Sequence, residues 1–277
     1  MAILTVLFLV RDIQIPFIVD AFKSARLSYL APAFLLLGPN LLVQLLKWRY
    51  LLRLANPNVS VATAYKSFII GYPLGFLTPG RVGEVGRAFF VRDISRKTTA
   101  KLFVVDKFAT LIVIGFSGVL GLLFLNNSSV SVYIVLAHSA ILFLCLILFL
   151  PAIREKIGRF LGNVSFKPRD IAILFILSAL FYLTFLSQLV ILILAFESVD
   201  VGSASAGAAA TFLVKTLLPV AAADLGIREG AAVYFCGQIG VGAAAAFNAA
   251  FLLFVINVVT PTLIGLPMLL KPIPEAR

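Results

Sequence analysis

Apolar residues run through this chain in long blocks joined by short polar stretches. Five blocks have the length of a bilayer-crossing helix, about 20 residues: 28–52, 101–125, 130–150, 169–196 and 241–270. The pattern predicts an all-α, polytopic membrane protein. Two further apolar blocks, 60–97 and 203–239, are each interrupted near the middle by Pro, Gly and charged residues. Met1–Val10 is too short to span and reads as a surface-lying or abbreviated first helix.

The polar joints set an orientation. Lys47, Arg49 and Arg53 close the first span, and Arg92, Arg96, Lys97 and Lys101 precede the second. The connection 151–169 carries Arg154, Lys156, Arg159, Lys167 and Arg169, whereas Asn126–Ser129 and Glu197–Ser203 hold no Lys or Arg. The first group is expected in the cytoplasm and the second outside. On that scheme each interrupted block enters and leaves on one side, so both read as re-entrant helical hairpins. Broken backbone at membrane depth is tolerated where protein buries it or it lines an aqueous cavity. A span plus an interfacial helix would also fit each block.

In order, the pieces form a single transmembrane domain, 1–277, with internal symmetry. Residues 28–125 make a first span–hairpin–span repeat, 169–270 a second, and 130–150 the linking span, so the repeats run in opposite senses. Inverted repeats with broken helices meeting near the midplane are a transporter architecture.

Composition agrees with the pattern. Of 277 residues 61% are hydrophobic, and mean hydropathy is +1.08. The excess of 23 Lys+Arg over 12 Asp+Glu follows from basic cytoplasmic loops and does not imply nucleic acid. Cys145 and Cys236 lie in apolar blocks and suggest neither a disulfide framework nor a metal site. No cofactor is expected.

The charges within the hairpins are the candidate chemistry, because a charge at membrane depth is costly unless paired or hydrated. In the first tip, LTPGRVGEVGRA, the residues Arg81, Glu84 and Arg87 share one helical face if the second half-helix starts at Pro79 or Gly80. A helix start favours an anion, and Gly83 and Gly86 admit a close neighbour. The second tip, LPVAAADLGIREGAA, offers Asp224, Arg228 and Glu229. Mixed charges around a central cavity suit a zwitterionic or anionic head group, above all a phosphate held by Arg. The same charges could instead form an ion network that pins the hairpins. Asp106–Lys107 is expected to be a boundary or structural pair, Lys66 and Lys215 to snorkel, and Gln188 to make an interhelical hydrogen bond.

PGRVGEVGRAFFVRD and LGIREGAAVYF resemble the signature segments of the lysylphosphatidylglycerol synthase transmembrane-region family. That family includes flippase-like proteins and the lipid-flipping half of the bacterial multiple peptide resistance factor. Pro79, Gly80, Gly83, Glu84 and Arg87 match the first motif; Gly226 and Glu229 match the second. The resemblance implies movement of a lipid with a polar head group between the leaflets of the cell membrane, and the tip charges favour a phosphate on that head group. Either a second copy of the chain or an enzyme of an envelope-lipid pathway is the protein partner it leaves open. The second tip departs from the pattern, reading VAAADLG where relatives often carry extra glycines. No domain of aminoacyl-transferase size follows Lys271, so synthase activity is not expected.

Rival classes are weaker. Gly115-Phe116-Ser117-Gly118 matches the GxSG of rhomboid proteases, and His138 is the one histidine, but the packing motif that follows the rhomboid histidine is missing. A lipid-modifying transferase would use Glu84 or Glu229 as base. A lipid-binding accessory protein would hold the head group and move nothing.

Overall fold

A computed structural model describes residues 15–23, 25–125, 151–161, 164, 166–219, 221 and 224–270. Every regular element among them is helical. A short helix, α1 (Ile15–Lys23), leads into α2 (Leu27–Leu35) and α3 (Leu37–Ala55), which form one span with a joint at Leu36. The span stops at Asn56, whose extended φ of −145° is what the following Pro57 demands. Next come α4 (Val61–Phe76), a 3₁₀ helix (Val82–Phe90) and α5 (Arg96–Leu125).

After α6 (Pro151–Phe160), α7 (Pro168–Phe196) starts with proline in its first turn, where the missing N–H costs nothing. Then follow α8 (Val201–Leu217), α9 (Ile227–Gly237), α10 (Ala243–Phe254), a π turn (Val255–Val259) and α11 (Thr260–Leu270).

Four helical stretches are long and apolar enough to cross a membrane: Leu27–Ala55, Arg96–Leu125, Pro168–Phe196 and Ala243–Leu270. They coincide with four of the five expected spans; the fifth, 130–150, lies outside the described residues, as does Met1–Val10. Leu35, Phe124, Ile176, Leu183 and Leu263 stand exposed on these helices, the outward apolar surface that lipid solvates.

Between them, both interrupted blocks fold as helix, break, helix. α4 packs on the 3₁₀ helix, and α8 on α9. The outer contacts of these hairpins cross over. α8 lies along α5, the most extensive helix pairing among the described residues, and α4 lies along α11. Small residues permit both approaches, as expected where lipid supplies no hydrophobic drive between helices. A Cβ added to Gly118 or Gly121 of α5 would come within 2.4 Å of Leu213 Cβ or 2.7 Å of the Ala206 carbonyl oxygen. One added to Gly265 of α11 would come within 2.4 Å of the Ile69 carbonyl oxygen. The first spans of the two halves, α3 and α7, also pack together.

Candidate functional site

The first break is built from Leu77 to Arg81. Thr78 organises it: its Oγ1 accepts the Gly83 N–H at 2.7 Å and donates to the Gly75 carbonyl at 3.2 Å. Gly80 and Arg81 then take the left-handed conformation, with φ of 56° and 58°. The helix therefore begins at Val82, not at Pro79 or Gly80, and is 3₁₀ in type. With three residues per turn, positions three apart eclipse, so the Arg81, Glu84, Arg87 spacing still aligns.

Glu84 is the hub. Its Oε1 meets Arg81 Nη2 at 2.6 Å, and its Oε2 meets Arg87 Nη2 at 2.9 Å and Lys107 Nζ at 2.6 Å. Arg87 sits behind the carboxylate, with its guanidinium carbon 4.9 Å from the Phe103 ring and 5.0 Å from Trp48. Such a caged, paired cation is a structural strut. Arg81 is different. It lies over Tyr72 at 5.1 Å, its side chain keeps 19% exposure, and its Nε has no hydrogen-bond partner.

The second break repeats the device with other residues. Asp224 (φ 60°) and Gly226 (φ 89°) are left-handed. The Glu229 carboxylate reaches back to accept the Gly226 N–H at 2.6 Å and pairs with Arg228 Nη2 at 2.6 Å. Glu229 is fully buried, so it closes the start of α9 instead of facing outward. Asp224 pairs with Lys215 Nζ of α8 at 3.0 Å.

The two breaks touch. Gly80 N–H donates to the Ala221 carbonyl at 3.0 Å, and a Cβ on Gly80 would lie 2.6 Å from both the Cβ and the carbonyl oxygen of Pro219. Glycine is therefore required there twice, for its φ and for the contact.

Beside this junction is a cavity of about 490 Å³, whose lining includes Gly80, Arg81, Glu84, Lys107, Lys215, Asp224 and Arg228. Aromatic rings of Tyr72, Phe103, Phe108, Phe181 and Phe185 complete much of the wall. Five cations at the tips (Arg81, Arg87, Lys107, Lys215, Arg228) meet three carboxylates (Glu84, Asp224, Glu229), leaving an excess of two positive charges.

The expected site residues thus divide. Gly80, Arg81, Glu84, Asp224 and Arg228 line the cavity; Pro79, Gly83, Arg87, Gly226 and Glu229 do not, and shape or brace the breaks. Lys107 and Lys215 join the site from neighbouring helices. The Asp106–Lys107 pair does not form: adjacent helical residues point apart, and Asp106 instead meets the buried Lys47 Nζ at 2.9 Å. Lys215 pairs with Asp224, not with the membrane surface. Gln188 makes the expected interhelical bond, donating to the Ala33 carbonyl at 2.9 Å. In the GxSG stretch Ser117 Oγ bonds Tyr182 OH at 2.6 Å, and Gly118 packs on α8; His138 lies outside the described residues. Among the described residues no cluster of His, Cys, Asp and Glu suits a metal ion.

Four apolar helices around a charged, partly aromatic cavity define a multi-pass membrane protein. Residues 1–265 match the family model described as the lysylphosphatidylglycerol synthase TM region, and the chain belongs to that family. No curated protein matches the chain. Family and apolar helices together fit a membrane protein of lipid metabolism or transport.

Proposed function

We propose that the protein moves a phosphate-bearing lipid between the leaflets of the cell membrane. The observation that carries this reading is the meeting of two broken hairpins beside one cavity with excess positive charge. In this reading 28–125 and 169–270 are inverted repeats, the hairpins re-enter the membrane, and the head group passes beside their tips while the tails stay in lipid. A charge at the bilayer centre costs about 3 kcal/mol on insertion scales. Pairing each carboxylate with one or more cations offsets that cost and still leaves net attraction for an anion. Arg81 is the leading phosphate contact, because it lines the cavity and its side chain keeps 19% exposure, against 4% for Arg87. Lys107 adds a second, more exposed cation.

The test is Arg81→Ala in proteoliposomes carrying a fluorescent phosphate lipid in one leaflet, with lipids retained on the purified protein read by mass spectrometry. Wild type is expected to move the lipid and the folded variant to lose both movement and retention. Equal transport by both removes Arg81 from the site. Retention without movement by wild type identifies a lipid-binding protein instead.

A further inference from the structure

A second cavity, of about 370 Å³, lies against α5 beside α6 and α7. Among the described residues its wall is apolar apart from Lys156, and includes Phe108, Ile157, Phe160, Phe166, Leu174 and Phe175. Lys101 of α5 holds α6 in place there: its Nζ donates to the Phe160 carbonyl and lies 4.7 Å from the Phe160 ring.

The apolar cavity and the charged one share a wall. Phe103, Lys107 and Leu111 of α5 line the charged cavity, Val105 and Ala109 line the apolar one, and Val104 and Phe108 line both. Residues four apart stack on one helix face, so Val104 and Phe108 form a ridge between the two. That ridge is open, with Val104 53% and Phe108 42% exposed. Lys107 stands next to it and reaches Glu84 on the charged side. Val104 to Ala109 cover less than about two turns, so the path from one cavity to the other runs around α5 and not along it.

We infer that the apolar cavity binds one hydrocarbon tail of the lipid whose phosphate lies at Arg81 and Lys107, the tail crossing α5 over Val104 and Phe108. This rests on the phosphate reading proposed above and refines it: one tail is held by protein while the rest of the lipid's apolar part stays in the bilayer. Close packing of protein interiors makes an apolar void costly to leave unfilled, and water finds few hydrogen-bond partners in one. At this volume the cavity holds less than about one turn of a helix 10 Å across, which favours a flexible chain over a partner helix. Continuity with the charged cavity ties that chain to a head group beside the breaks.

The experiment is photocrosslinking of the full chain in phosphatidylcholine nanodiscs with either of two probes, phosphatidic acid or diacylglycerol, each carrying the same diazirine near the end of one tail. Labelled peptides are read by mass spectrometry. In wild type the phosphatidic acid probe is expected to label both 104–109 and 166–175. It should do so about tenfold more than diacylglycerol, the worth of one charge-assisted hydrogen bond. Arg81→Ala is expected to remove that excess. Val105→Phe narrows the apolar cavity alone and is expected to cut labelling of 166–175 severalfold. Equal labelling by the two probes, or a retained phosphatidic acid that labels neither segment, overturns the inference and leaves the phosphate reading to its own transport assay. So does labelling lost in Lys156→Gln but kept in Arg81→Ala, the mark of a lipid anchored at the cavity rim. A phosphatidic acid probe neither retained nor moved overturns both. The wild-type pattern needs no variant, so a misfolded Val105→Phe does not remove the test.

Discussion

Arg81 and Asp224 share a left-handed φ, 58° and 60°, and among the described residues no other non-glycine residue has positive φ. Each marks a hairpin break, and each places a charged side chain on the cavity wall. Left-handed backbone costs an L-residue about 1–2 kcal/mol. Strain of this kind persists where the surroundings over-determine it, commonly at functional sites. Arg81→Gly removes the strain together with the charge while Glu84 keeps Arg87 and Lys107, so melting is expected to change little while lipid movement is lost.

Gly80→Ala tests the junction. The added methyl meets Pro219 at 2.6 Å from two atoms on a left-handed backbone, so the breaks must part. A loss of roughly 1–3 kcal/mol in thermal unfolding is expected, together with impaired lipid movement. Gly38→Ala is the matched control, because nothing lies within 4 Å of its Cβ. It is expected to be neutral or slightly stabilising in helix α3.

Arg87 and Arg81 should separate in two assays. Arg87→Met empties a cage of rings and removes one cation from the buried Glu84, a change of about 3 kcal/mol or more. Its signature is a lowered melting temperature. Arg81→Met leaves Glu84 with Arg87 and Lys107, so melting is expected to shift less while lipid retention is lost. Equal melting loss in both variants contradicts this division.

Lys107 is 48% exposed, and Glu84 keeps two arginines without it. Lys107→Gln is expected to cost under about 1 kcal/mol of stability but to slow lipid movement severalfold. Raising ionic strength should narrow the gap from wild type, since exposed charges are screened.

Asp200 caps α8, accepting the Ser203 N–H at 2.8 Å, and that hydrogen bond holds its carboxyl below the usual aspartate range. Because the folded value is the lower one, the stabilisation is complete above the unfolded pKa, about 3.9, and is lost as pH falls through the folded value. Asp200→Asn keeps a capping oxygen but does not titrate. Below about pH 4 its melting temperature should fall less steeply than that of wild type.

The spans and breaks were legible because both are written locally. Long apolar runs mark α3, α5, α7 and the α10–α11 stretch, while Thr78-Pro79-Gly80 and Pro219 to Gly226 punctuate the hairpins. Glu84 could be singled out as a hub because its arginine partners stand three residues away on either side. Its lysine partner could not, since Lys107 arrives from another helix and sits beside a decoy aspartate. Asp224 likewise takes its partner, Lys215, from α8 on the other side of the break.

The crossed packing of the hairpins restricts how this molecule can deform. Because α4 rides on α11 and α8 rides on α5, neither chain half is a separate lever. The mechanical bodies are mixed, each combining one half's hairpin with the other half's closing span. Glycine contacts hold each body together, and at the seam between the tips the Gly80 N–H donates to the Ala221 carbonyl. The two bodies meet at that seam and at the Lys107–Glu84 ion pair, so in the proposed reading these are the contacts that must yield for a head group to pass.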